Sequence, residues 1–349
     1  MTQVLFDRYS ALALQVDCEC VHMDSDSTGS RPRMMAAIAR IDEAIRGAKR
    51  WIGAGLKLVV LPEYVLTGPP WGESIPEWLE KGTIAPDGAE VEALAAVADR
   101  HGIYLGVNAY ETDRHFPGLY FQGSFILDPA GKRILSYRRL ISMFAPTPHD
   151  VWDRYLDVYG LDGVFPVVDT PIGKLAAIAS EEILYPEIAR AMALRGAEVF
   201  VHSSSEIGSP IDTPKAIAKR ARAQENMAYV VSANTAGIEL SSLPVGSGDG
   251  NSMVVDYKGR VLAESNSRET FTAFAEIDLG ALRATRRKPA MTNFLARQRL
   301  ELFAAVYAGK SPQPADSLIQ DNEVIIPNRD FFQRVQEESI ERMIKDGVI

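Results

Sequence analysis

Apolar and polar positions alternate along the chain with two different periods. Short runs of consecutive apolar residues predict buried strands at Ala11 to Cys18, Leu56 to Leu61, Ile103 to Tyr110, Leu175 to Ala179, Ala197 to His202 and Tyr229 to Ala233. Between them, apolar residues recur at helical spacing over Met34 to Gly53, Gly88 to His101 and Pro186 to Arg195. Asp212-Thr213-Pro214 reads as a further helix start, with Pro in the first turn, and that helix runs through Arg220, Arg222, Glu225 and Asn226. Two hairpins interrupt the alternation. One joins Phe121–Leu127 to Arg133–Tyr137 around Asp128-Pro129-Ala130-Gly131; the other joins Ser252–Asp256 to Arg260–Glu264, and Phe271 to Ile277 adds a strand. Helix–strand alternation with a hairpin in each half predicts α/β architecture of two stacked helix-on-sheet layers, and not one doubly wound sheet.

Three stretches depart from this rhythm. The chain up to Arg33 is polar after its first strand and reads as flexible, and Ile141 to Val164 is irregular, with Pro146, Pro148, His149, Asp150, Trp152 and Tyr155. A connection that long in a compact domain predicts a cleft wall or lid. From about Leu282 the pattern changes to a basic cluster (Arg283, Arg286, Arg287, Lys288), a helix near Phe294 to Val306, a Pro-containing linker and a charged helix from about Arg329. We therefore expect one domain over residues 1–285 and a helical extension over 286–349 that packs on the domain or on a partner subunit.

Composition narrows the function classes. A chain of 349 residues that is 46% apolar and 24% charged has ample material for a packed core. Its net charge of −9 argues against a nucleic-acid partner. Cys18 and Cys20 lie two apart on one apparent strand, too constrained for an ordinary disulfide, which suggests a reducing compartment. Neither a signal core nor an apolar run of about 18 residues is present, so the expectation is a soluble, cytoplasmic protein with no membrane partner. The five histidines have no metal-ligand spacing, and Gly246-Ser247-Gly248-Asp249-Gly250 lacks the Lys-Ser/Thr of a phosphate loop, so no metal and no bound nucleotide is expected.

Chemistry gathers at the ends of the apolar runs. Leu61-Pro62-Glu63-Tyr64 leaves a carboxylate at one strand end, suited to proton transfer, and the second strand of the first hairpin delivers Tyr137-Arg138-Arg139. The run Leu175 to Ala179 ends in Ser180-Glu181-Glu182, followed by Tyr185-Pro186 at a helix start. A side chain at such a corner, facing a helix N-terminus, is where α/β folds place nucleophiles.

Taken together, LPEY at 61–64, SYRRL at 136–140, ASEEILYPE at 179–187, RARAQEN at 220–226 and SANTAG at 232–237 resemble the nitrilase (carbon–nitrogen hydrolase) superfamily, most closely its aliphatic amidase branch. The resemblance runs from about Ala11 to Leu279, with the motifs in family order. It implies a four-layer α-β-β-α sandwich, a homodimer or larger homo-oligomer, no cofactor, and a Glu–Lys–Cys triad acting on a small amide or nitrile through an acyl-enzyme. The family's Glu falls at Glu63, its Lys at Arg139 and its Cys at Ser180, so two of the three positions depart from the pattern. The further carboxylate of many members is also displaced, with His149 and Asp150 nearby. Substrate-side candidates are Tyr64, Trp71, His149, Glu181 (through its N–H), Glu182, Ser205 and Asn234.

The departures leave three alternatives open. Ser180 replaces a natural cysteine and inactivates a hydrolase; the chain is a natural pseudoenzyme that binds a ligand or partner; or Ser180 is a working nucleophile activated by Glu63 or His149. Serine is far less acidic than a thiol and normally requires a His or Lys partner, and none adjoins it in sequence. The expectation is therefore that this chain binds its substrate and turns over little. Which amide or nitrile it takes is not legible.

Overall fold

The computed structural model describes residues 5–207, 213–238, 244, 248–266 and 268–349. The strands of its two main sheets, in chain order, are β1 (Arg8–Ala13), β2 (Leu56–Val60), β3 (Tyr104–Thr112), β4 (Tyr120–Leu127), β5 (Arg133–Arg138), β6 (Val168–Thr170), β7 (Gly173–Ala179), β8 (Val199–Ser204), β9 (Tyr229–Asn234), β10 (Met253–Val255), β11 (Val261–Glu264) and β12 (Phe274–Asp278). They form two six-stranded sheets, ordered β12-β1-β2-β3-β4-β5 and β11-β10-β9-β8-β7-β6. In each, three parallel strands (β1-β2-β3 and β7-β8-β9) are flanked by antiparallel ones.

Helices cover the outer faces. They are α1 (Ser27–Ile52), α2 (Ile75–Lys81), α3 (Ala89–His101), α4 (Trp152–Val164), α5 (Pro186–Leu194), α6 (Pro214–Glu225), α7 (Leu279–Arg287), α8 (Glu301–Ala308) and α9 (Arg329–Lys345). Met34, Ile38, Ile41 and Ile45 of α1 and Leu94 and Val97 of α3 are buried in one apolar cluster; Ile188, Met192, Ala218 and Ala223 of α5 and α6 join the other. The two sheets meet face to face. A Cβ on Gly106 of β3 would lie only 2.4 Å from Val201 on β8, so glycine is what lets the layers close. The α/β class and the layering of two sheets between helices are as the pattern predicts.

Several boundaries differ, each for a local reason. β1 begins at Arg8 and ends at Ala13; Cys18 keeps only an isolated bridge to Ile238, so Cys18 and Cys20 do not share a strand, and neither is in a disulfide. The stretch before Met34 is helical from Ser27, because the Asp26 carboxylate accepts from Thr28 N at 2.9 Å and Gly29 N at 3.3 Å and so caps the helix ahead of Pro32. Helix α2 was not anticipated, although Ser74 and Glu77 form a capping box. Most of 141–164 is helical, as a single turn at Pro148–Val151 followed by α4, kinked at Gly160 (φ 61°); only its first residues are irregular. The helix expected near Phe294 to Val306 is α8, over Glu301–Ala308.

Two of the four basic residues at α7 are spent internally, while Arg287 and Lys288 are exposed. Arg283 makes two bonds to Glu198, at 2.7 and 2.8 Å, and Arg286 donates to the carbonyls of Ala197, Met227 and Asn226. Phe331, Phe332 and Val335 of α9 are buried in the same cluster as α1 and α3. Gly246 and Ser247 of the glycine-rich run lie outside the described residues. Among the described residues, no helix is long and apolar enough to cross a membrane.

Candidate active site

A cavity of about 550 Å³ opens where the C-terminal ends of β2, β7 and β8 meet the loop after β5. Glu63, Arg139 and Ser180 all line it, as do Tyr64, Trp71, Glu181 and Ser205. Parallel strands with helical crossovers present their carboxyl ends on one rim, and pairing two such sheets brings both rims to one cleft. Two backbone links tie the rims together: Glu63 N donates to Ser204 O at 3.2 Å, and Ser203 Oγ donates to Leu61 O at 2.8 Å.

Ser180 is held in an unusual backbone conformation. Its φ is +52°, and Tyr64, also on the cavity wall, has φ +38°. Left-handed backbone at non-glycine residues is costly and collects at functional sites. Ser180 does not abut a helix N-terminus as the sequence suggests. A 3₁₀ turn, Ser180–Leu184, intervenes, and Tyr185 is extended (φ −96°, ψ 106°) because Pro186 excludes the helical conformation before it. The corner is fixed by a histidine. His202 Nε2 lies 2.8 Å from the Ser180 carbonyl and its Nδ1 lies 2.8 Å from Ser232 Oγ. A carbonyl only accepts, so Nε2 carries the proton and Nδ1 accepts from the Ser232 hydroxyl. Burial, followed by the charge of Lys219, pushes His202 well below the usual histidine range, which keeps the ring neutral.

That arrangement has a signed consequence. Below about pH 6.5 the unfolded chain protonates His202 while the native ring resists, so native stability falls as pH drops. His202→Gln can keep both hydrogen bonds without titrating. Its stability, from urea unfolding between about pH 7 and 5, is expected to decline less steeply than that of the parent.

Arg139 is the hub of the polar network. Its Nη1 donates to Gln122 Oε1 at 2.6 Å and Glu63 Oε1 at 3.3 Å, its Nε to the Ile141 carbonyl at 2.7 Å, and its Nη2 to Glu181. Burial opposes its charge, but Glu181, Glu63 and Glu182 outweigh it and hold the guanidinium firmly protonated. Gln122 Nε2 donates in turn to Glu63 Oε1 at 2.8 Å and to Asn108 Oδ1 at 3.1 Å. Glu63 is thus aimed by two donors and closed off from bulk water, with 3% of its surface exposed.

Not every anticipated residue reaches the cavity. Glu182 is fully buried beneath the corner, where it accepts from the Tyr137 hydroxyl at 2.7 Å and from the backbone N–H groups of Leu140 (2.6 Å), Ile141 (3.2 Å) and Ala179 (3.3 Å). It ties the Arg139 loop to the Ser180 corner, and burial pushes its carboxyl up to about 7. His149 lies outside because the turn directs Asp150 inward to accept from Thr147 N and Ser317 Oγ, leaving the imidazole 6.1 Å from the Trp152 ring. Asn234, at the end of β9, bonds Gly250 and Ser252 and does not line the cavity.

Sequence reasoning also missed contributors. Gln122, Tyr110, Lys215 and Arg329 line the cavity. Lys215 and Gln122 carry no local signal, since a cation in a helix's first turn and a polar residue in mid-strand are ordinary features. Arg329 comes from the C-terminal extension. It donates to the carbonyls of Glu73 at 2.5 Å and Phe144 and to the Tyr120 hydroxyl at 3.2 Å, clasping two walls of the cleft. Arg329→Ala removes the clasp, and we expect it to raise KM about tenfold with a smaller change in kcat, measured by steady-state kinetics. Among the described residues no cluster of His, Cys, Asp or Glu is placed to hold a metal.

Comparison with known proteins bears on the family and the fold. The carbon-nitrogen hydrolase family pattern matches residues 30–287. An omega-amidase of Xenopus laevis (NIT2-A) is 28% identical over 241 residues, covering 68% of this chain and 83% of the relative. A formamidase of Bacillus cereus is 27% identical over 225 residues, covering 64% and 62%. In fold, the chain is similar to Nit3 of Saccharomyces cerevisiae, a member of branch 10 of the nitrilase superfamily (TM-score 0.63, 21% identity, covering 83% of this chain and 97% of that one). It is similar too to a double mutant of the amidase from Nesterenkonia sp. AN1 in complex with acrylamide (TM-score 0.58, 18% identity, covering 86% and 98%). With its two helix-flanked sheets and a family match spanning most of its length, the chain belongs to the carbon–nitrogen hydrolase family of the nitrilase superfamily.

Proposed function

We propose that this cleft hydrolyses a small linear amide through a covalent acyl-enzyme formed on residue 180. One observation carries the reading: the ends of separate strands from both sheets place a hydroxyl (Ser180), a carboxylate (Glu63) and a permanent cation (Arg139) around one cavity of about 550 Å³. That volume suits a small molecule. Omega-amidase and formamidase relatives, and a fold neighbour holding acrylamide, support an amide as the substrate class.

The residues divide the work. Ser180 Oγ attacks the carbonyl carbon, and the Glu181 N–H steadies the developing oxyanion. Ammonia or an amine leaves, and Glu63 draws the proton from the water that then hydrolyses the ester. Arg139 serves chiefly as the countercharge that keeps Glu63 and Glu181 in place, since its bonds to them, Gln122 and Ile141 engage most of its donors.

Hydroxylamine tests the acyl-enzyme. With a reactive amide, added hydroxylamine is expected to divert product from the acid to the hydroxamate while ammonia release continues. Ammonia release with no hydroxamate at any hydroxylamine concentration would argue for direct attack by water. Silence from this chain and from its Ser180→Cys form, with the amide still binding, would mark a ligand-binding protein instead.

We also propose that copies of the chain associate. Leu302, Phe303, Val306 and Tyr307 of α8 are each more than half exposed, an apolar face that association would cover. Light scattering is expected to give a dimer or larger, and a monomeric mass at micromolar concentration would contradict this.

A further inference from the structure

Ser180 has a partner other than Glu63 or His149. Lys215 Nζ lies 3.2 Å from Ser180 Oγ, 3.3 Å from Ser204 Oγ and 3.1 Å from the Ser205 carbonyl. The side chain is well anchored. Thr213 caps α6 by accepting from Ala216 N at 2.9 Å and donates its own hydroxyl to Glu206 at 3.0 Å, and Pro214 sets the first turn. Lys215 therefore projects from a rigid element across the end of β8 to the Ser180 corner.

The hydrogen-bond inventory points to a role. A neutral amine has two N–H donors and one lone pair. Nζ donates to all three in the structure; once it gives up a proton, the Ser205 carbonyl and the Ser204 hydroxyl keep its two remaining donors, which leaves the lone pair for the Ser180 O–H. No carboxylate among the described residues makes an ion pair with Lys215. The nearby carboxylate of Glu206 faces Lys219 instead, at 3.8 Å. Arg139 and Arg329, the other cations of the cleft, cannot take a proton at all.

From this geometry we propose that Lys215 is the general base of Ser180, so that a Ser–Lys pair stands where the family uses a thiol. The inference rests on the amide-hydrolysis reading and assigns its first half. As the Ser180 Oγ–carbon bond forms, the hydroxyl proton passes to Lys215 Nζ. The resulting ammonium gives that proton to the amide nitrogen as the carbon–nitrogen bond breaks, so ammonia leaves neutral and an ester remains on Ser180. Charge and atoms balance without a co-reactant. Ser204 and Ser205 hold Nζ in place during both transfers. On this account the chain is an active hydrolase with serine at 180.

A fluorophosphonate probe tests the pair without knowledge of the substrate. Ser180 Oγ forms a bond to phosphorus, fluoride departs and Nζ takes the proton; intact-protein mass reports the adduct and peptide mapping its position. We expect the parent to be labelled at Ser180 at a rate that rises with pH to a plateau. Lys215→Met should slow labelling by about 10²-fold or more, and Lys215→Arg, which keeps the charge and the long stem, should not restore it. Labelling at the parent rate by Lys215→Arg would reduce Lys215 to an electrostatic role and overturn the proposal. So would an unlabelled parent. If the parent is unlabelled while Ser180→Cys releases ammonia from amides, the Ser–Lys pair fails and the amide reading stands. A labelled parent that releases ammonia from no amide keeps the pair and removes the substrate reading.

Discussion

Arg139→Met is expected to lower folding stability by about 3–5 kcal/mol, read from urea unfolding. The guanidinium is buried and bonded to Glu63 and Glu181, and without it two carboxylates crowd one cavity with no cation between them. The loss comes from leaving charge unpaired, and not from the pair's net worth, which is small for buried ions. Arg139→Lys keeps the charge but cannot reach Gln122, Glu181 and the Ile141 carbonyl together. It is expected to cost less, about 1–2 kcal/mol. Equal losses for Met and Lys would show that the bonds, and not the charge, hold this wall.

Ser180→Ala is expected to lower amide turnover by about 10⁴–10⁶-fold, because the acyl-enzyme cannot form. Folding should be retained, since Ala bears the same left-handed strain as Ser at φ +52° and the His202 bond is made to the backbone carbonyl. Ser180→Cys places a thiol at the same corner, within reach of Lys215. A thiolate needs less help from a base, so the Cys form should depend on Lys215 more weakly than the Ser form does.

The layers of this fold were legible because each central strand is a run of apolar residues buried on both faces, and such runs survive tertiary context. Glu63, Arg139 and Ser180 were singled out through the resemblance; Arg139 and Ser180 each follow directly on a strand, whereas Glu63 stands three residues past the end of β2. Boundaries were less secure where a single cap decides them, as Asp26 does for α1. Glu182 shows the limit of position along the chain. It stands two residues beyond Ser180, yet the turn carries it beneath the cleft to bind Tyr137 and the backbone of Leu140 and Ile141. Lys215 and Arg329 were missed for the opposite reason. Each is an ordinary helical cation in sequence and becomes part of the site only because a crossover helix or the C-terminal extension brings it back to the rim.

The most direct measurement is ammonia release from a series of short linear amides by this chain and by Ser180→Ala. The account predicts release by the parent from at least one small amide, abolished by Ser180→Ala, while both proteins melt at similar temperatures. Equal release by the two proteins, or none from the parent, would contradict it.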